Sequence, residues 1–273
     1  MEKLKNIKAL FIDLDGTLCN SRYEITYKTK EAIKQIKNKG IYIILCSGRN
    51  NEDLCKFSKE ACASNFVISS NGSQIFNYTK HENFYENIIS QKVLNKIWKY
   101  GNENKLEIIL NSDNCQYGNN FFCSDIYKNK IIVDNISKIG TARIYQIIIN
   151  SNDFYDMNKF EEFLKQVKEV KIANFSREYL KNITNYIEPY YMFINNKNID
   201  KGKAISVFLE KMKIKKEETI CFGDRINDIK MFNSCGFKVA MKNADDELKK
   251  IADYITLSNN EDGVADFIYK FLL

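Results

Sequence analysis

The feature that most constrains the fold is a short apolar segment, Ala9–Ile12, that runs directly into two carboxylates. An unbroken apolar run of this kind predicts a strand buried on both faces, as in a parallel sheet. Asp13 and Asp15 follow it, and side chains two residues apart point the same way from an extended strand end. In open α/β sheets, ligands bind just beyond the carboxyl ends of the strands. The segment therefore marks a candidate site.

Two carboxylates this close repel each other and shift each other's pKa unless a cation lies between them. Phosphoryl transfer uses such a pair, because one carboxylate can attack phosphorus while the second handles the proton and Mg²⁺ neutralises the phosphate. Taken alone, Asp13-Leu-Asp15-Gly is equally typical of a strand that enters an ordinary turn. Its context decides between the two interpretations.

Two more predicted strands end in small polar residues. They are Ile41–Cys46 and Phe66–Ser69, and helices are predicted over 26–39 and 52–63. This alternation of strands and helices indicates a doubly wound parallel sheet. A serine and a glycine at a strand end can offer a hydroxyl and open N–H groups to a phosphate, although they more often form a plain turn. The residues that follow the two strands are Ser47, Gly48 and Arg49, and Ser70, Asn71 and Gly72.

The region from about residue 83 to 194 has a different character. None of its predicted strands ends in a pair of carboxylates, so we interpret it as a separate α/β domain inserted into the first. The apolar spacing predicts two helices, over 88–100 and 158–167, and strands over 105–111, 143–150, 170–175 and 190–194.

Sequence typical of the first domain then resumes. Asp200 is a plausible N-cap for a helix that begins with Lys201, although a cation in a first helical turn opposes the helix dipole. A lysine there is understandable if an anion binds at the helix start, although an ordinary solvated lysine is the simpler alternative. The next predicted strand, Thr219–Phe222, is again followed by a glycine and polar or acidic residues, Gly223, Asp224, Asn227 and Asp228.

Composition argues against several classes of protein. The net charge of +6 is spread along the chain without a dense basic block, so no nucleic-acid partner is expected. The eight cysteines include no Cys-x-x-Cys pair, which argues against a zinc ribbon or redox motif. The sequence shows neither a signal peptide nor an apolar stretch of membrane-spanning length, so we expect a cytoplasmic protein with no membrane partner. The single histidine, His81, lies outside every motif, which disfavours histidine-based catalysis.

The motifs appear together in one order: Asp13-Leu-Asp15-Gly-Thr17, Ser47, Lys201-Gly202, and Gly223-Asp224-Arg-Ile-Asn227-Asp228. In this order they resemble the haloacid dehalogenase superfamily of phosphatases, specifically its Cof-type branch. The stretches Ser69–Gly72, Ala240–Ala244 and Asn260–Ala265 also resemble that branch. The resemblance implies a Rossmann-like core, residues 1–82 and 195–273, with an α/β cap at 83–194 that selects the substrate. One departure is Arg225, where relatives commonly carry a small residue.

The resemblance also implies roles for single residues. Asp13 is the expected nucleophile, which forms an aspartyl-phosphate, and Asp15 is the expected general acid and then base. The expected Mg²⁺ ligands are Asp13, Asp15 through its backbone carbonyl, and Asp224, with Asp228 close behind. The residues expected to hold the substrate phosphate are Ser47, Gly48, Lys201 and Asn227. Asn71, Gly72 and Arg49 are expected in a loop on the substrate side.

The expected function is Mg²⁺-dependent hydrolysis of a small phosphorylated metabolite, first of all a sugar phosphate, by a monomer or weak dimer. A phosphomutase of the same superfamily is the nearest alternative, but it needs a second phosphate site, and the cap interval contains only Arg143 and Arg177 as arginines. A catalytically idle binding or regulatory relative is the other alternative. It should have lost a motif carboxylate, whereas Asp13, Asp15 and Asp224 are all present.

Overall fold

The computed structural model describes residues 4–113, 115–120, 129–176 and 190–273. Arg177 lies outside these ranges. The chain divides into two compact units, of which Met1–Tyr85 with Asp200–Leu273 is the first, called the core unit below, and Glu86–Ile199 the second. The sequence placed the junctions slightly earlier, at 82/83 and 194/195. The difference arises because a strand runs through each of those points, over Glu82–Glu86 and over Tyr190–Asn196.

The first part of the core unit alternates strands and helices, as predicted. Each helix begins at a residue whose side chain accepts a hydrogen bond from the first turn: Thr26 accepts from the Thr29 N–H, and Asn50 accepts from the Asp53 N–H. The elements are β1 (Ala9–Asp13), α1 (Tyr27–Asn38), β2 (Tyr42–Cys46), α2 (Asn51–Glu60), β3 (Phe66–Ser69), β4 (Gln74–Asn77) and β5 (Glu82–Glu86).

The second unit is a mixed sheet with two helices. Its elements are α3 (Gln91–Glu103), β6 (Glu107–Asn111), β7 (Gln116–Gly118), β8 (Lys130–Ile132), β9 (Gln146–Ser151), α4 (Phe154–Leu164), β10 (Val170–Ser176) and β11 (Tyr190–Asn196). The strand order is β10-β11-β9-β6-β7-β8, and the neighbours are antiparallel except for β7 and β8.

The two faces of this second sheet differ in polarity. Residues such as Ile108, Ile149 and Ile194 belong to an apolar core with α3 and α4. The alternate residues include Asn111, which donates to Gln146 at 2.9 Å, and Gln146 in turn donates to Asn195 at 3.2 Å. These polar side chains are buried, and the same face carries a small apolar cluster that includes Ile109 and Ile148.

The chain then returns to the core unit with α5 (Lys201–Met212), β12 (Thr219–Gly223), α6 (Ile229–Ser234), β13 (Phe237–Ala240), α7 (Asp246–Lys250), β14 (Tyr254–Ile255) and α8 (Gly263–Phe271). The core sheet has the strand order β14-β13-β12-β1-β2-β3-β4-β5. It is parallel from β14 to β3, and β4 then pairs antiparallel with β3.

The architecture confirms the predicted α/β class with a Rossmann-like doubly wound core and an inserted α/β unit. All five residues of β1 are buried, and each large apolar side chain among them contributes roughly 1.5–3 kcal/mol to folding. Phe11 of β1 meets Phe208 of α5 edge to face, with ring centroids 5.8 Å apart, so the returning helix is fixed to the central strand. Within the described ranges, none of the helices combines the length and apolarity needed to cross a bilayer.

Candidate active site

The topology brings the separate motifs to one edge of the core sheet. β12, β1, β2 and β3 lie side by side and run parallel, so their carboxyl ends share that edge. In the register, Asp13 lies opposite Cys46 at the end of β2, and Ile12 lies opposite Phe222 near the end of β12. The polar residues that follow these strands are therefore neighbours, as the sequence predicted.

Three carboxylates and one ammonium form a buried cluster at this edge. One oxygen from each of Asp13, Asp224 and Asp228 lies within 4.8 Å of the others. The Lys201 ammonium donates to Asp13 Oδ1 at 2.5 Å and to Asp228 Oδ1 at 2.7 Å, and only 1% of the lysine side chain is exposed. The cluster is thus a buried ionic network in which the charges depend on one another.

Lys201 owes its position to the start of α5. Asp200 is the N-cap, and its carboxylate accepts the Lys203 N–H at 2.9 Å, which fixes the first turn. Burial acts to lower the pKa of Lys201, but the charges of Asp13 and Asp228 outweigh it and raise the pKa above its ordinary value. A cation is stable in the first turn of this helix because two buried carboxylates bind it.

The carboxylates of the cluster are held in an environment that disfavours their charged forms. Burial raises the pKa of Asp13 well above its ordinary value, although the charge of Lys201 acts in the opposite direction. Burial, followed by the neighbouring charge of Asp228, raises the pKa of Asp224 to about 7. The site therefore gains stability from any added positive charge, whether a proton or a cation.

Asp228 is occupied at both oxygens. Its Oδ1 accepts from Lys201, and its Oδ2 accepts from the N–H groups of Asp224 at 3.1 Å and Arg225 at 3.3 Å. These contacts hold both the ammonium and the turn that carries Asp224. Asp228 is therefore well suited to positioning the site. The carboxylate that it was expected to offer to a metal is already engaged by protein donors.

Asp13 and Asp224 have the better arrangement for holding a cation. Among the described residues, Lys201 is the one donor to the Asp13 carboxylate, and it binds Oδ1. Asp224 Oδ1 accepts the Thr17 hydroxyl at 3.0 Å, and Arg225 Nε lies 3.5 Å from Asp224 Oδ2. Arg225 thus brings positive charge to one side of the expected metal site. A donor set made of carboxylate oxygens suits Mg²⁺.

Close approach of the backbone to Asp224 explains the glycine of the first motif. Gly16 has φ +82°, and a Cβ at this position would lie 2.3 Å from Asp224 Oδ2. A side chain would therefore displace the carboxylate as well as strain the backbone. The turn between Asp15 and Thr17 can take only glycine without moving the candidate metal ligand.

Asp15 makes a separate ion pair. Arg49 donates from Nε to Asp15 Oδ2 at 2.9 Å and from Nη2 to Asp15 Oδ1 at 2.7 Å. This is a two-point contact between a guanidinium and a carboxylate. The sequence placed Arg49 in a loop on the substrate side, and in the structure its guanidinium binds the carboxylate of Asp15, the expected acid–base residue.

The remaining predicted residues lie in the turns after β2, β3 and β12. Ser47 is buried, and its Oγ accepts the Arg49 N–H at 3.2 Å, while its carbonyl accepts the Asn71 N–H at 3.0 Å. Gly48 follows Ser47 directly, and Asn227 lies half-buried in the turn Ile226–Asp228. The turns after β2 and β3 are therefore joined to each other, and the roles of all these residues toward a phosphate stay a prediction.

Gly72 has a structural reason for its position. It has φ +98°, and a Cβ there would lie 2.4 Å from the carbonyl oxygen of Asp200. The turn after β3 therefore packs directly against the N-cap of α5, the helix that carries Lys201. A contact of this kind fixes the height of that helix above the sheet edge.

Sequence reasoning assigned no role to two asparagines that hold the loop after Asp15. The Asn243 side chain donates to the Gly16 carbonyl at 2.8 Å and accepts the Asn259 N–H at 3.0 Å. The Asn259 side chain donates to the Cys19 carbonyl at 2.9 Å. Asn243 lies in the stretch Ala240–Ala244, whose resemblance to the Cof-type branch was the available signal.

Comparison with known proteins agrees with this geometry. Residues 10–268 match the haloacid dehalogenase-like hydrolase family. The chain is 30% identical over 272 residues to the 5-amino-6-(5-phospho-D-ribitylamino)uracil phosphatase of Bacillus subtilis, covering 98% of this chain and 97% of that protein. It is 26% identical over 268 residues to a phosphoglycolate phosphatase of Methanobrevibacter smithii, covering 98% of this chain and 100% of that protein.

A solved structure shows the same fold over nearly the whole chain. The crystal structure of a haloacid dehalogenase-like hydrolase from Bacteroides thetaiotaomicron superposes with a TM-score of 0.83 at 28% identity, covering 97% of this chain and 99% of that one. The fold and site thus define a phosphoric monoester hydrolase of the α/β class. The chain belongs to the haloacid dehalogenase-like hydrolase family, as a phosphatase that acts on phosphorylated small molecules.

Proposed function

We propose that this protein is a Mg²⁺-dependent phosphatase that hydrolyses small phosphorylated metabolites, foremost sugar phosphates, through an aspartyl-phosphate at Asp13. The observation that carries the proposal is the buried cluster of Asp13, Asp224, Asp228 and Lys201 at the sheet edge. A ribityl phosphate is part of the name of one relative, which supports a phosphorylated polyol or sugar as the substrate class.

The charges of the cluster fit a divalent cation. When ionised, its three carboxylates and one ammonium leave two negative charges, which a divalent cation balances. Asp13 and Asp224 would hold Mg²⁺, together with the carbonyl of Asp15, and Asp228 would stay behind them on Lys201 and the turn. When bound, Mg²⁺ would neutralise phosphate charge and so lower the repulsion between substrate and nucleophile.

In the first half of the proposed reaction, the free oxygen of Asp13 attacks phosphorus and the ester P–O bond breaks. Lys201 holds the other oxygen of Asp13, which aims the nucleophile, and its charge with the Ser47 hydroxyl would bind phosphoryl oxygens. Asp15 gives a proton to the departing alcohol oxygen. The products of this half are the alcohol and the phosphorylated Asp13.

In the second half, water attacks the same phosphorus and the bond between Asp13 and phosphorus breaks. Asp15, ionised after the first half, takes the proton of the attacking water. Inorganic phosphate leaves and the Asp13 carboxylate is restored. The second unit would select among substrates, because the described residues of that unit contain no group of three side chains that could hold a metal ion.

The proposal is tested by phosphate release from a panel of sugar and polyol phosphates with Mg²⁺ or with EDTA. We expect turnover with Mg²⁺ and none with EDTA. The Asp13→Asn variant should be inactive, whereas Asp246→Asn should turn over normally, because its carboxylate is exposed on α7. Asp15→Ala given 4-nitrophenyl phosphate, whose leaving group needs no acid, and then quenched with acid should carry an added mass of about 80 Da, one phosphoryl group on Asp13. Full activity in EDTA, or a phosphorylated species in the Asp13→Asn variant, would contradict the mechanism.

A further inference from the structure

The Asp15 side chain is held by one residue at both of its oxygens. The Arg49 guanidinium contacts Oδ2 through Nε and Oδ1 through Nη2, at 2.9 and 2.7 Å. A two-point contact fixes the rotation of the carboxylate as well as its distance, which a single hydrogen bond or a lysine ammonium does not do. Side-chain exposures of 16% for Arg49 and 27% for Asp15 leave the pair partly shielded from water.

Arg49 is itself fixed at its backbone and at its guanidinium. Its N–H donates to Ser47 Oγ at 3.2 Å, and its carbonyl accepts the Ser70 N–H at 2.8 Å, so the backbone is joined to the ends of β2 and β3. The guanidinium carbon lies 5.6 Å from the ring centroid of Tyr23 and 5.1 Å from that of Phe57. Both rings attract the cation and restrict its movement.

Resting on the proposed function, we infer that Arg49 is a positioning residue for the acid–base step and acts through Asp15. A half-exposed aspartate that is free to rotate spends part of its time in orientations from which it cannot reach the leaving oxygen. Arg49 removes that freedom. When protonated, Asp15 donates its O–H to the leaving oxygen while its other oxygen still accepts from Arg49; when ionised, it can accept from the attacking water and from Arg49 together.

The sequence placed Arg49 in a loop on the substrate side, so direct contact with the substrate is the alternative role to be tested. If Arg49 acts through Asp15, replacing Arg49 should lower kcat/KM most for the substrates whose leaving group most needs an acid. If Arg49 contacts the substrate, replacing it should lower kcat/KM by the same factor whether or not Asp15 is present. The two cases therefore predict different results in a double-mutant cycle with Asp15.

The experiment uses the full chain with Mg²⁺ and two probes, phenyl phosphate and 4-nitrophenyl phosphate. Their phosphates are identical, but phenolate is the poorer leaving group and needs the acid more. The kcat/KM value reports the steps up to transfer of phosphorus to Asp13, so it isolates the acid step from later hydrolysis. The variants are Arg49→Ala, Arg49→Lys, Asp15→Ala and Arg49→Ala with Asp15→Ala. Arg22→Ala is the matched control, since Arg22 is largely exposed in the same region and pairs with Glu24.

We expect Arg49→Ala to lower kcat/KM about tenfold for phenyl phosphate and less than about threefold for 4-nitrophenyl phosphate, a fraction of what a whole general acid contributes. Arg49→Lys keeps the charge but cannot make the two-point contact with Asp15, so its loss of kcat/KM should be intermediate. In the Asp15→Ala background, Arg49→Ala should cost nothing further, and Arg22→Ala should match the parent enzyme.

Three outcomes would overturn the inference. An equal loss of kcat/KM for both probes would mean that Arg49 acts on structure or on the shared phosphate. An undiminished Arg49→Ala effect in the Asp15→Ala background would mean direct contact with the substrate. Unchanged kinetics for both Arg49→Ala and Arg49→Lys would mean that Asp15 needs no positioning. If Asp15→Ala itself shows no dependence on the leaving group, the acid–base role in the proposed function fails first, and this result is distinguishable from the other three.

Discussion

Replacing Lys201 by methionine tests how the buried cluster is held together. The Lys201 ammonium contacts Asp13 and Asp228, and the three side chains are exposed by only 1%, 9% and 0%. Methionine has nearly the same length and can fill the space, but it carries no charge. The change therefore leaves Asp13, Asp224 and Asp228 as buried carboxylates without their internal cation.

The magnitude follows from the burial of the partners. Removing one member of a buried ion pair costs about 3–5 kcal/mol, because the remaining charge is neither solvated nor compensated. For a folded unit of about this size, each kcal/mol lowers Tm by roughly 2–4 °C, so the expected loss is about 6–20 °C. Lys203→Met is the matched control, since Lys203 is exposed on the same helix.

The pH dependence of this loss of stability follows from the pKa shifts of the cluster. Lys201 has a raised pKa in the folded state, so its stabilisation is fully present at pH 8 and is lost only in strong alkali. Burial raises the pKa of Asp13 and Asp224, so the folded state binds protons more tightly there than the unfolded chain does. In the Lys201→Met variant this tendency increases, so its loss of stability should be larger at pH 8 than at pH 5.

Calorimetry in EDTA is the suitable assay. The single tryptophan, Trp98, lies in α3 of the second unit, so its fluorescence does not report the core unit directly. Adding Mg²⁺ at pH 8 should restore part of the lost Tm in the variant, because a divalent cation supplies charge to the same carboxylates. Equal Tm values for Lys201→Met and Lys203→Met at pH 8, or a larger loss at pH 5, would refute this account of the cluster.

Three further predictions concern the metal, a glycine and a loop. Because the pKa of Asp224 is raised to about 7, Mg²⁺ must displace a proton at lower pH, and its Kd by calorimetric titration should weaken about tenfold per pH unit below that value. Gly72→Ala should destabilise by about 1–3 kcal/mol more than Gly40→Ala in urea unfolding, because Gly40 shares a positive φ but has nothing within 4 Å of a new Cβ. Asn243→Ala should lower kcat with a stability change of only about 1 kcal/mol, since it frees the Gly16 carbonyl; unchanged kcat would show that the loop holds itself.

The sequence predicted the elements that carry strong apolar patterns. β1, β2, β3 and β12 are short, almost wholly apolar runs, and each was placed within one or two residues of its observed bounds. β4, β5, β7 and β8 were not predicted, because strands of only three to five residues are too short to show a clear apolar period. Such strands form because a neighbour offers a free edge, which is a tertiary effect.

The site was predictable where it depends on topology and unpredictable where it depends on side-chain direction. Parallel strands that lie side by side necessarily bring Asp13 and Asp224 to one edge, so their proximity could be foreseen. No local pattern shows which way the Arg49 side chain turns, and both a substrate and Asp15 would attract its guanidinium. The guanidinium that contacts Asp15 also lies against the Tyr23 and Phe57 rings, which come from separate parts of the chain.

Lys201 shows how a violation of a local rule can indicate a site. A cation at the first position of a helix opposes the dipole, so the sequence implied that an anion lies nearby. The structure identifies protein carboxylates, Asp13 and Asp228, as the anions that compensate it at rest. A phosphate that binds next to Asp13 would therefore meet an ammonium whose charge is already shared. When ionised, the cluster has a net charge of two negative, which repels a phosphate dianion. We therefore expect that a divalent cation must bind before the phosphate does.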